Sequence, residues 1–185
     1  EIKMLVKDAE ENAMICNIFF NYDQFYKNLI PLKSNDRLFL SANEDDFILD
    51  GYTIRHFKDV FKVKIKRDMC DQILKKEGWT NNLKTPDVDI TGWKTVFESL
   101  KRINKNIIIE KETPEEKNDE FVIGRIEKIY KNFAYVWNFD ADGIWSNSPI
   151  QVPYSEITSV TFFSRYVDIF SKYISEPPFL LNDRI

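Results

Sequence analysis

The side chains best suited to chemistry are few. His56 is the only histidine of the 185-residue chain, and Cys16 and Cys70 are its only cysteines. A cysteine nucleophile needs a base beside it, and Cys70 sits in Asp-Met-Cys-Asp, where flanking acids raise a thiol's pKa. With one histidine and no cysteine pair, no zinc ligand set is expected. Asn138, Asp140 and Asp142 followed by Gly143 match the first half of a calcium loop. The twelfth position, where a bidentate acid belongs, is Pro149, so the segment reads as an Asp-Gly turn and no metal or other cofactor is expected. Gly124 and Gly143 each stand alone, so there is no phosphate-cradling loop. The acids at 44–46 and 50, and at 115–116 and 119–120, fall in expected turns. Paired carboxylates catalyse only where a cleft separates their pKa values. No catalytic residue is assigned, and the chain is read as not an enzyme.

Binding chemistry is better represented. Lys62, Lys64 and Lys66 alternate with Val63 and Ile65 and so share one face of one strand, with Lys58 and Arg67 beside them. This makes a basic stripe on a protein of net charge −4. It also reads as an exposed, charged strand that resists edge-to-edge aggregation. Trp137 and Trp145 bracket the turn at Asp140, and Tyr154 follows. Large aromatics there either form a recognition surface or fill a small core. Trp145, set among Gly143, Ser146, Asn147 and Ser148, is the leading candidate for an exposed contact.

Composition sets the frame for these residues. Apolar types make up 43% and aromatics 15%, enough for a core without disulfides or metals. The acidic balance argues against a general phosphate-backbone binder. No apolar run approaches a membrane span, the N-terminus has no signal-peptide pattern, and two lone cysteines suit a reducing compartment, so a cytoplasmic protein is expected.

The elements that would position the binding residues occur twice. At a spacing of 96, Phe25 falls on Phe121, Ile30 on Ile126, Leu40 on Val136 and Ile54 on Ile150; at 97, Phe57 falls on Tyr154, Val60 on Ile157 and Val63 on Val160. Each copy reads as a helix, five strands and a short helix. In the first, a helix covers 2–12, strands lie near 14–20, 25–32, 37–42, 52–57 and 60–66, Asp50-Gly51 turns the chain, and a helix covers 68–76. In the second, Thr91 caps a helix to 103. Strands cover 106–112, 121–129 (with a bulge), 133–139, 150–152 and 157–163, and a helix covers 165–174. The chain divides into a first repeat at 1–78, a connector at 79–93, a second repeat at 94–175 and a tail at 176–185.

This order resembles the Sm-like family, whose fold is a bent SH3-like barrel with an N-terminal helix. Gly124, Ile126, Ile129, Phe133, Tyr135 and Val136 follow the spacing of the first Sm signature, and Ile157 and Val160 that of the second. The layout is also similar to bacterial tandem-barrel proteins of unassigned function. The resemblance implies a mainly β (α+β) fold of two tandem five-stranded Sm/SH3-like barrels, each preceded by a helix and followed by a short one. It does not carry the family's RNA pocket. Tyr130, Ala134, Pro153 and Tyr154 stand at the pocket positions of the second copy, and Ser34, Leu38, His56 and Phe57 at those of the first. The expected function is therefore a non-enzymatic cytoplasmic interaction module with a protein partner. An immunity-type inhibitor of a basic toxin and a weak Sm-like RNA binder are the alternatives.

Overall fold

The computed structural model describes residues 1–115 and 119–182, so Glu116 of the second acidic cluster lies outside the described residues. The chain is mainly β, as its alternating apolar segments imply. Helix α1 (Ile2–Glu11) precedes β1 (Cys16–Phe20), β2 (Lys27–Ser34), β3 (Leu38–Asp45), β4 (Ile48–His56) and β5 (Val60–Ile65). Helix α2 (Met69–Lys76) follows, and a 3-10 turn (Trp79–Asn82) opens the connector. Helix α3 (Trp93–Ile103) then leads into β6 (Ile107–Lys111), β7 (Glu120–Ile129), β8 (Phe133–Asn138), β9 (Ile150–Pro153) and β10 (Ser159–Phe162). Helices α4 (Arg165–Ser171) and α5 (Pro178–Asn182) end the chain.

Local chemistry sets several boundaries. Asp68 caps α2 by accepting from the Asp71 amide, and Ser164 accepts from Val167 at the start of α4. Thr91 does not cap α3. Its amide and hydroxyl are both taken by Asp89 Oδ1, at 2.8 and 2.6 Å, and Gly92 occupies the cap. Asp50-Gly51 is not the β3–β4 turn either. The two-residue loop is Asp46-Phe47, with φ 44° and 72°, the positive pair that closes a twisted hairpin. Gly51 lies within β4, at φ 69°, where a Cβ would sit 2.5–2.6 Å from the backbone at Phe162–Ser164. Its missing side chain admits the end of β10 rather than a turn.

The ten strands form one open antiparallel sheet rather than two closed barrels, in the order β5-β1-β2-β3-β4-β10-β6-β7-β8-β9. The first five positions and the last five follow the same internal order. The pairings repeat as well. Leu29 pairs with Asn43 and Pro31 with Ser41, as Gly124 pairs with Asn138 and Ile126 with Val136, a spacing of 95. In each half the next residue of the first strand of the pair, Leu32 or Glu127, is left unpaired at a bulge. Phe39 with Arg55 corresponds to Ala134 with Val152, and Ile18 with Val63 to Ile109 with Val160. The spacing is thus 91 for α1 and β1, 95 for β2 and β3, and 97 for β4 and β5. A uniform 96 over 25–54 misplaces every residue by one. Matching apolar to apolar hid two length differences, one before β2 and one before β4.

Each helix covers the core of its own half. Val6 and Ala9 of α1 pack with Cys16, Ile18, Leu29, Phe39, Phe57, Val60 and Val63. Phe97 and Leu100 of α3, at the equivalent places, pack with Ile107, Ile109, Ala134, Tyr154, Ile157 and Val160. The second core extends further, to Leu38, Leu40 and Ile54 of the first half. Strand β4 reaches them there by pairing with β10, Ile54 opposite Val160.

Candidate functional site

Exposed large apolar residues occur at several places, among them Tyr166, Ile169 and Tyr173 at and after α4, and one group stands beside exposed lysines at the β5 end of the sheet. Among the described residues β5 pairs only with β1, with Phe19 opposite Lys62 and Asn17 opposite Lys64. The register slips between Phe19 and Phe20, so Phe61 has no partner and projects outward together with Lys62. Phe61 is 55% exposed. Its ring meets Phe19 edge-on with centroids 5.9 Å apart, and Tyr26 meets Phe19 from the other side at 5.4 Å. The ammonium groups of Lys62 and Lys64 lie 5.3 and 5.9 Å from the Phe19 ring centre, within cation–π range. Phe25, in the β1–β2 loop, is 77% exposed. Three aromatic rings in contact and two lysines thus form one surface, with Phe25 close in sequence.

The basic stripe is shorter than the sequence suggests. Lys66 follows the end of β5 and is buried, 4.0 Å from Glu44 and 3.8 Å from Asp68. Its amide donates to Ile15, which turns the chain inward at that residue.

The aromatic candidates of the second half lie elsewhere and face inward to different degrees. Trp145 is half-buried; its ring stands edge-on to Phe139 at 5.1 Å and its Nε1 donates to the Ser175 carbonyl at 3.0 Å. Its neighbour Ile144, at 64% exposed, is the exposed large apolar residue of that loop. Trp137 is half-buried, donating to Glu127 and stacking on Phe179. Tyr154 is a core residue whose hydroxyl donates to the Tyr130 carbonyl, and burial, reinforced by Glu98, pushes its pKa up to about 12. These three side chains therefore do not join Lys62 and Lys64 in one site.

The calcium-like segment is a turn. Asp140 Oδ1 accepts from the amides of Asp142 and Ile144, and Asn138 Oδ1 accepts from Ile123 on β7. Among the described residues no cluster of three or more His, Cys, Asp or Glu side chains is placed to hold a metal ion. His56 has a structural task. Its Nε2 accepts from the Trp93 indole at 2.7 Å, and burial, with Lys58 nearby, lowers its pKa to about 4. Cys16 is buried and burial pushes its thiol up to about 12, the opposite of an activated nucleophile.

Sequence reasoning passed over Arg55, which ties the halves together. The residue is 5% exposed and its guanidinium lies over the Phe20 ring. Its Nη1 donates to Tyr22 at 2.8 Å and to Glu112 at 2.9 Å, and Glu110 is 3.9 Å from Nη2. Burial works against the charge, but Tyr22, Glu112 and Glu110 outweigh it and hold the pKa above its ordinary value. A polar trough of about 360 Å³ runs beside it, lined by Asn28, Asn43, Thr53 and Thr161. Two acids around one arginine leave no excess positive charge there for an anion. An arginine directly after Ile54, near the end of β4, was the available signal. For Phe19, Phe25, Tyr26 and Phe61 there was none, because a phenylalanine in a strand normally reads as core.

Compared with known proteins, the chain matches no family model, no curated protein and no solved structure. Among the described residues, no helix is long and apolar enough to cross a membrane.

Proposed function

We propose that the chain is a non-enzymatic interaction protein, built from two Sm-like units joined edge to edge, that holds a protein partner on the surface around Phe61. One observation carries this reading: exposed Tyr26 and Phe61 flank a half-buried Phe19 ring, and the ammonium groups of Lys62 and Lys64 lie over that ring. Exposed aromatics bring large contact area at low entropic cost and concentrate binding energy at interfaces. The lysines give this surface a positive character that favours an acidic partner. An inhibitor of a basic toxin would need the opposite charge here. Strand order supports the Sm-like units, since β5-β1-β2-β3-β4 and β10-β6-β7-β8-β9 repeat one arrangement behind one helix each.

Rings beside lysines also favour single-stranded RNA as a second reading, since bases stack on aromatic faces. The net charge of −4 weighs against it. Immobilised full-length chain should retain a protein from lysate of the source cells. The triple variant Phe61→Ala, Lys62→Glu, Lys64→Glu should not, and nuclease treatment should leave retention unchanged. Retention abolished by nuclease would select the RNA reading, and identical protein sets on both chains would refute the proposed surface.

A further inference from the structure

The two halves differ at one equivalent place. In the second half, Trp93 and Val96 of α3 and Val160 of β10 line a surface that β4 fills. Ile54 lies opposite Val160, and Leu38, Leu40 and Ile54 share one core with Trp93 and Val96. In the first half the equivalent residues are Ile2 and Leu5 of α1 and Val63 of β5, at the spacings of 91 and 97 already described. Among the described residues no strand fills that surface. A groove of about 620 Å³ lies there, with an apolar floor of Ile2, Leu5, Phe57, Phe61 and Val63 and the charged residues Glu1, Lys3 and Lys62 also lining it. Strand β5 is an edge of the sheet, and among the described residues its outer amides and carbonyls pair with no strand. Apolar groove and open edge coincide, which is the arrangement that accepts an added strand.

We propose that this groove receives an extended segment of a partner protein, paired antiparallel to β5, with acidic side chains opposite Lys62 and Lys64 and an apolar one opposite Val63. This deepens the interaction reading above and rests on it. The pattern follows from the filled junction. There Arg55, Ile54 and Thr53 face Ser159, Val160 and Thr161. At β5 the corresponding residues are Lys62, Val63 and Lys64. Apolar faces apolar in the middle, and the two flanking positions have become cations. Opposite charges directly across a strand pair stabilise it, and they select against a strand that lacks them.

A second copy of this chain fits poorly. The strand equivalent to β4 is β9, which would set Val152 and Ile150 against the lysines and Gln151 against Val63. That is the reverse of the required alternation, and a one-residue slip to correct it turns the strand's other face to the groove. The occupant is therefore a different protein.

The test selects a displayed library of random short peptides on the full chain. Enriched peptides should carry Asp or Glu on both sides of an apolar residue. They should bind at least about tenfold more weakly to Lys62→Glu/Lys64→Glu. Both lysines are exposed, so this variant should keep the wild-type melting temperature. Bound peptide should slow amide exchange in β5. Selection on the variant should enrich Lys or Arg at the same two places. Failure to enrich, equal binding to both chains, or protection away from β5 would overturn the proposal. Sedimentation showing concentration-dependent self-association that the variant abolishes would assign the groove to a second copy and overturn the partner claim. Peptides that contact Phe19 and Tyr26 but leave β5 exchange unchanged would remove strand addition while keeping the interaction surface. Retention of the same proteins from lysate by the wild-type chain and by the Phe61→Ala, Lys62→Glu, Lys64→Glu variant would remove the surface reading itself.

Discussion

Acidification should loosen the contact between β4 and α3 through a single imidazole. His56 Nε2 accepts the Trp93 indole proton at 2.7 Å, which requires a neutral ring. Burial first, then Lys58, lowers its pKa from 6.5 to about 4. Between those values the unfolded chain binds a proton that the folded chain refuses. Stability from this group is therefore complete above about pH 6.5 and is lost as pH falls toward about 4. Converting the whole gap gives about 3 kcal/mol. His56 is only half-buried, and solvent screening reduces the expected loss to about 1–2 kcal/mol. Carboxylates also titrate in this range, so the assay compares wild type with His56→Gln, whose amide oxygen can still accept from Trp93. Urea unfolding of both chains, followed by Trp fluorescence, should be run from about pH 7 to about pH 4.5. The stability difference between the chains should shift by about 1–2 kcal/mol over that range, against wild type on the acid side. A pH-independent difference would refute the buried neutral imidazole.

Arg55→Met strands Glu112 and Glu110 at the junction of the halves and should cost about 3 kcal/mol, lowering the melting temperature by about 6–12 °C in calorimetry. Gly124→Ala places a Cβ 1.7 Å from the Trp137 carbonyl oxygen, and neither strand can yield without breaking the ladder. Its chemical denaturation should show a loss of more than about 3 kcal/mol, or no folded protein at all. Trp145→Ala removes a ring resting on Phe139 and a bond to Ser175, so urea melts should show a loss of about 2–3 kcal/mol. A loss below about 0.5 kcal/mol would mean that the indole does not pack there.

The residues made some parts of this legible and hid others. Alternation in 133–139 and 157–163 revealed strands, and the repeated order of elements revealed two similar halves. The register was not legible in β2 and β3, because a one-residue slip exchanges faces while leaving apolar residues matched to apolar ones. Asp50-Gly51 looked like a turn because glycine is read as conformational freedom, whereas Gly51 is also needed for the close approach of β10. The pairing of β4 with β10 leaves no periodic signal, being a contact between distant strands. It explains why Leu38, Leu40 and Ile54 are buried by the other half. The lysines at 62 and 64 were legible as an exposed face. Their aromatic partners were not, since exposure of Phe61 depends on a bulge and on a strand that, among the described residues, is paired along one edge only.

The place where a partner touches the chain can be read directly. A photo-crosslinking residue placed at position 61, and separately at the equally exposed position 121 on β7, can be activated in the source cells. A discrete protein adduct from position 61 and none from position 121 is the expected result. An adduct from position 121 alone would contradict the β5 surface as the place where this protein works.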